Sequence, residues 1–164
     1  MNSQKLKKLQ ELAKKTDFND PRLNDYYNKQ NKRYSIPKPY AGYSTLLRAE
    51  QNNKLGEIDI ALIGVPFDIG VTNRPGARLG PKQIRELSSM AGGPMHHASG
   101  IIPAQLCRYA DHGDVDIKST YNLDQGIREI EAYYQKVADA DVIPLTVGGD
   151  HSITYPIIKA HHNK

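Results

Sequence analysis

Polar and apolar positions are unevenly spread along this chain. Residues 1–57 are rich in Lys, Asn, Gln and Tyr, whereas the long apolar runs lie almost wholly within 58–160. Leu6, Leu9 and Leu12 recur at three-residue steps, which predicts a short amphipathic helix within 1–16 carrying a narrow apolar stripe. Residues 17–56, broken by Pro21, Pro37, Pro39 and Gly42, are expected to form an extended arm and loop. Such an arm would wrap a body or a neighbouring subunit. From Ile58 to Pro66 the chain turns almost continuously apolar and β-branched. A strand buried on both faces has this composition, and such strands belong to parallel sheets.

The alternation then repeats. Residues 67–80, FDIGVTNRPGARLG, read as a long loop, and Pro81 suits the first turn of a following helix, where its missing N–H costs little. That helix carries Ile84 and Leu87 on one side. A second strand is expected over 105–110, running into the acidic stretch 111–116. Ile127, Ile130, Tyr134, Val137 and Ala138 fall on one face of a helix that Asn122 or Asp124 can cap. Residues 142–147 form the third strand. Ser152 or Thr154 can cap a last helix that holds Ile157, Ile158 and Ala160. Strand and helix alternate three times, which predicts an α/β fold with a parallel sheet and right-handed crossovers. The expected organisation is a polar basic arm over 1–56 and an α/β unit over 57–164.

Composition narrows this picture. The chain has 164 residues and a net charge of +4, and Lys5, Lys7, Lys8, Lys14 and Lys15 alone exceed that excess. No aromatic stacking platform, RNA-binding signature or zinc-finger spacing accompanies them, so a solvated arm is expected, without nucleic-acid or membrane partners. Mean hydropathy is -0.62, and no run in the sequence approaches membrane-spanning length. Cys107 is the single cysteine, so no internal disulfide forms, and its apolar neighbours suggest an inert thiol. A soluble, reducing, cytoplasmic setting is expected.

The candidate chemistry sits where strands end. Ligands of open parallel sheets bind outside the carboxyl ends of the strands. Loop 67–80 and the sequence Gly148-Gly149-Asp150-His151 both lie there. Glycines let the backbone turn tightly and approach a ligand. From its position alone, His151 can be a metal ligand, a general base or a packed side chain. His96 and His97 read as a loop pair whose rings point apart. Asp111, Asp114 and Asp116 lack calcium-loop spacing and read as turn and strand-end residues.

Val147-Gly148-Gly149-Asp150-His151-Ser152 resembles the first metal-binding signature of the ureohydrolases, the family of arginase, agmatinase and the guanidino-acid hydrolases. Gly64-Val65-Pro66-Phe67-Asp68, then Arg74-Pro75-Gly76-Ala77-Arg78-Leu79-Gly80-Pro81 and Ile84-Arg85, is similar to that family's first strand, loop and helix. Gly113-Asp114-Val115 is similar to the end of its second strand. The matches occur in family order across about 58–160, and the VTNRPGAR stretch is more like the agmatinase and guanidino-acid branches than arginase itself.

The resemblance implies a three-layer α/β/α arginase-like fold, incomplete in this chain. It implies a two-Mn²⁺ hydrolase, with Ni²⁺ or another divalent metal as an alternative, that releases urea and an amine from a small guanidino substrate. It implies a homo-oligomer, a trimer or a hexamer. Residue by residue it makes His151 a metal ligand, and Asp150 and Ser152 groups that fix the turn around it. Asn73 and Arg74 fall in a loop that borders the family's pocket; Arg74 can equally pair with a neighbouring subunit's carboxylate. The family's two later aspartate-bearing ligand motifs do not occur in these 164 residues. His161 and His162 do not replace them. The chain is therefore expected to be the N-terminal half of a ureohydrolase, inactive alone, or else a catalytically silent half-domain that acts only by binding subunits or partners.

Overall fold

The computed structural model describes residues 40–90, 98 and 106–162. The stripe expected within 1–16, most of the arm and the His96-His97 pair lie outside the described residues. Strands β1 (Ile60–Val65), β2 (Tyr109–Asp114) and β3 (Ile143–Gly148) form one parallel sheet in the order β2-β1-β3. Helices α1 (Gly80–Ser88), α2 (Leu123–Asp139) and α3 (Thr154–His162) follow the three strands in turn.

Sequence periodicity explains the layering. Successive side chains of a strand point to opposite faces. Ala61, Ile63 and Val65 join Ile130, Tyr134 and Val137 of α2 and Ala160 of α3 in the main core. Leu62 instead joins Leu46 and Ala49 on the other face, where α1 also packs. The sheet is thus covered on both sides, as the expected three-layer α/β/α class requires. Burying side chains such as Ile63 and Val65, both 0% exposed, stabilises by roughly 1.5–3 kcal/mol each.

Local signals act as read for α1 and α2. Pro81 occupies the first turn of α1, and the Asn122 side chain accepts a hydrogen bond from Gln125 N at the start of α2. The last helix differs. Asp150, not Ser152 or Thr154, supplies the capping side chain, to the short turn His151–Ile153 that leads into α3. Helix α1 also differs: Ile84 and Leu87 are 39% and 67% exposed, and Pro81 is its buried residue. Its inward contact is made instead by Arg85.

The second strand lies later than expected, over 109–114 rather than 105–110. Its polar residues are accommodated by partners distant in sequence. Asp111, 2% exposed, receives Arg85 Nε at 2.8 Å, Leu46 N at 2.8 Å and Gly113 N at 2.9 Å. Pairing with β1 steps from Asp111 to Gly113, so His112 is the extra residue of a bulge. Beyond it, Asp114 meets Arg85 Nη1 at 2.6 Å. The outer edge of β2 is covered by residues 50–52, through Asp111 N to Glu50 O at 2.9 Å and Asn52 N to Asp111 O at 3.1 Å.

Candidate functional site

The carboxyl ends of β1 and β3 are held together by backbone alone before any side chain contributes. After Gly148 the chain reverses at Gly149, whose φ is +68°. A Cβ there would lie 2.5 Å from Phe67 O and 2.6 Å from Val65 O, so only glycine brings the two strand ends this close. Asp150 N then donates to Phe67 O at 2.8 Å. A Cβ on Gly80 would likewise meet Gly148 O at 2.6 Å, which lets the start of α1 press on the same turn.

Side chains complete the clasp. Asp150 Oδ2 accepts from Gly70 N at 2.8 Å, and Oδ1 accepts from Ser152 N at 2.9 Å and from the Ser152 hydroxyl. Asp150 and Ser152 thus lock the third-strand turn to the start of loop 67–80. The far part of that loop is tied to Asp68, which is 5% exposed. Its carboxylate accepts from Gly76 N at 2.8 Å, from Arg78 N at 3.4 Å and from the Arg78 guanidinium. The Arg78 hydrogen bonds, against an opposing effect of burial, hold the Asp68 carboxyl below the usual aspartate range. Between these anchors the loop carries Asn73 and Arg74, both exposed.

His151 stands exposed on the clasped turn, with Nδ1 3.0 Å from Thr154 Oγ1. A histidine ligand oriented through its second nitrogen is a common metal-site arrangement. Among the described residues, however, no three His, Cys, Asp or Glu side chains gather to hold a metal ion. The Asp150 carboxylate is turned to Gly70 and Ser152, and His151 is the exposed imidazole of this turn. The residues present fit one ligand of a divalent ion and do not by themselves make a two-metal centre.

Structure therefore brings Asp150, His151 and Ser152 together with loop 67–80. Asn73 and Arg74 sit on the loop without a described contact to the turn. Sequence reading gave Gly70 no role, placed Asp68, Arg78 and Arg85 only within motif stretches, and read Asp111 and Asp114 as turn and strand-end residues; it named none of their partners. Charged residues inside the RPGAR stretch and on the inward side of α1 were the available signal, but their partners lie 10, 26 and 29 residues away. Cys107 is half-buried, and burial, with a smaller effect of Asp59, pushes its thiol up to about 11. That suits an inert thiol.

Comparison with known proteins follows this geometry. The arginase family profile matches residues 58–164. The human mitochondrial guanidino acid hydrolase is 45% identical over 123 residues, covering 75% of this chain and 34% of that protein. Guanidinopropionase of Pseudomonas aeruginosa is 43% identical over 125 residues, covering 76% and 38%. The crystal structure of a hypothetical agmatinase from Burkholderia thailandensis superposes with a TM-score of 0.71 at 31% identity, covering 80% of this chain and 43% of that one. The chain spans about a third of the length of the curated relatives it matches.

One expectation is overturned here. The human, rat and mouse guanidino acid hydrolases and the chicken agmatinase that resemble this chain are mitochondrial proteins, which points away from a plain cytoplasmic setting. The composition used for that expectation, one cysteine and no long apolar run, does not distinguish two reducing compartments. No helix among the described residues is long and apolar enough to cross a membrane. The family profile covers well over half of the sequence, and the ordered strand, loop and glycine-turn motifs lie on one parallel sheet; this chain belongs to the arginase family.

Proposed function

We propose that this chain carries the His151 side of a ureohydrolase site that cleaves a guanidino compound to urea and an amine. The observation that supports this best is the clasp of Asp150 to Gly70, which presents an exposed histidine at the carboxyl ends of two parallel strands in an arginase-family chain. In the reaction, water adds to the guanidinium carbon, the bond from that carbon to the alkyl nitrogen breaks, and the amine leaves with a proton. A guanidinium is resonance-stabilised and a poor electrophile, so this chemistry needs an activated nucleophile. Mn²⁺, or another divalent ion such as Ni²⁺, would supply that activation. A Trypanosoma cruzi formiminoglutamase of related fold was solved with Mn²⁺.

In this reading His151 is a metal ligand. Asp150 and Ser152 hold its turn, and Asn73 and Arg74 border the substrate. The substrate class is agmatine or a guanidino acid such as guanidinobutyrate, in keeping with relatives named guanidino acid hydrolase, guanidinobutyrase and agmatinase. A trimer or hexamer is the proposed assembly.

A second reading is favoured by the lack of three gathered metal-binding side chains among the described residues. In it, the chain is a catalytically silent half-domain that binds subunits or a longer partner. One experiment separates the two. Residues 58–164 of this chain are put in place of the matching stretch of the human guanidino acid hydrolase, and urea release with Mn²⁺ is assayed across guanidino compounds. Turnover that His151→Ala abolishes supports the enzymatic reading. A folded, Mn²⁺-loaded chimera without turnover on any of them sinks it.

A further inference from the structure

Helix α1 is short, and little of its seat is hydrophobic. Its buried residue is Pro81, while Ile84 and Leu87 are exposed. Contacts at the carboxyl ends of all three strands hold it instead. At β3, Gly80 lies against Gly148 O, so close that a Cβ would come within 2.6 Å. At β1, a Cβ on Gly64 would overlap Asp114 Oδ1 and lie 2.8 Å from Pro81 Cβ, so the glycine leaves a notch that both fill. At β2, the Arg85 guanidinium closes on two carboxylates at once. Its Nε and Nη2 donate to Asp111 at 2.8 and 3.0 Å, and its Nη1 donates to Asp114 at 2.6 Å. Such a planar, charge-assisted fork fixes orientation as well as distance. The far end of α1 is tied separately, through Leu47 N to Ser88 Oγ at 3.0 Å.

Helical side chains lean toward the helix N-terminus, so the Arg85 fork restrains the end of α1 that touches Gly148. Gly148 leads directly into Gly149, Asp150 and His151, and Gly80 closes loop 67–80. A shift of α1 therefore moves both sides of the candidate site together. We infer that Arg85 is a positioning residue for the His151 turn: by spanning Asp111 and Asp114 it seats the start of α1 against Gly148 and so sets where the imidazole stands. It acts through the Gly80–Gly148 contact, and its own hydrogen bonds go to β2. The inference rests on the reading of His151 as a metal ligand. A lysine at this position would bring one compact ammonium, which cannot reproduce the fork across both carboxylates.

The test compares the 164-residue chain with Arg85→Lys and Asp114→Asn. The second variant weakens only the more exposed arm of the fork and leaves the buried Arg85–Asp111 pair in place. Hydrogen exchange at the Asp150 and Gly70 amides is read without metal, and Mn²⁺ affinity is read by electron paramagnetic resonance. In both variants these two amides should exchange roughly 3–30-fold faster, and Mn²⁺ should bind weaker by a similar factor. The Ile63 amide in the core of β1 should keep its rate. Unchanged exchange at Asp150 and Gly70 overturns the inference. So does equal acceleration at Ile63, which would make Arg85 a determinant of overall stability. Mn²⁺ affinity equal to the parent's despite faster exchange overturns it too, since the turn would then loosen without moving the ligand. A parent chain that binds no Mn²⁺ contradicts the reading of His151 instead, and the exchange rates still decide whether Arg85 sets the turn.

Discussion

The Asp150 carboxylate accepts a hydrogen bond from Gly70 N at 2.8 Å, across 80 residues of sequence. One side chain thereby fixes the loop after the first strand to the turn after the third, and His151 follows it directly.

Asp150→Asn should loosen this clasp. The amide oxygen can keep one acceptor role, but the charge that strengthens hydrogen bonds from Gly70 and Ser152 is gone. Loss of a group that orients a ligand typically costs about 10–100-fold in metal affinity. Hydrogen exchange at Gly70 should accelerate in the same variant. Mn²⁺ affinity and Gly70 exchange both matching the parent would show that the clasp does not position His151.

Gly149→Ala tests the backbone geometry. The residue would have to keep φ near +68°, which costs about 1–2 kcal/mol for an L-residue, and its Cβ would crowd Phe67 O and Val65 O. Denaturant unfolding should show a loss of at least that size. A smaller loss would mean that the turn relaxes without cost.

Asp111 should govern part of the acid sensitivity. Burial raises its pKa, but hydrogen bonds from Arg85 and from Leu46 N and Gly113 N outweigh this and leave it lowered. A carboxyl lowered in the folded state stabilises above its unfolded value, and that stabilisation is lost as pH falls through the folded value. Asp111→Asn removes the buried one of the two carboxylates that Arg85 meets and leaves that side chain, 13% exposed, only the more exposed Asp114. It should cost about 3 kcal/mol at pH 7 and flatten the acid limb of a stability–pH profile. Identical acid limbs would rule out this origin.

Asp68→Asn separates loop order from fold stability. The carboxylate is held below the ordinary aspartate value of 3.8 first by its hydrogen bonds with Arg78. The loop tie therefore persists above that range and fails as pH falls through the lowered value. In Asp68→Asn, amides of Gly76 and Arg78 should exchange faster at neutral pH while core amides of β1 do not. Uniform acceleration would instead mark Asp68 as a core determinant.

Much of this fold was legible from pattern. The run 58–66 has the composition of a doubly buried strand, and 60–65 is one; the spacing of Ile130, Tyr134 and Val137 marks the inner face of α2. Strand β2 was misplaced because Asp111, His112 and Asp114 look like loop residues. Their polarity is satisfied by Arg85 and by backbone 60 or more residues away, as in His112 Nδ1 to Asn52 O at 2.9 Å, and no local signal reports that. For the same reason the sequence marks only Ile84 and Leu87 on one side of α1, although Arg85 is the residue its neighbours bind. The glycine turn and His151 could be picked out through the motif. The clasp to Gly70 could not, because its geometry exists only once β1 and β3 are paired.

The most direct measurement is an Mn²⁺ titration of the 164-residue chain, followed by electron paramagnetic resonance, with His151→Ala in parallel. The expected result is a single weak site per chain that His151→Ala removes, with no urea released from any guanidino compound. Binding that survives His151→Ala unchanged, or two tight ions per chain, would contradict the assignment of His151 as the one metal ligand this turn provides.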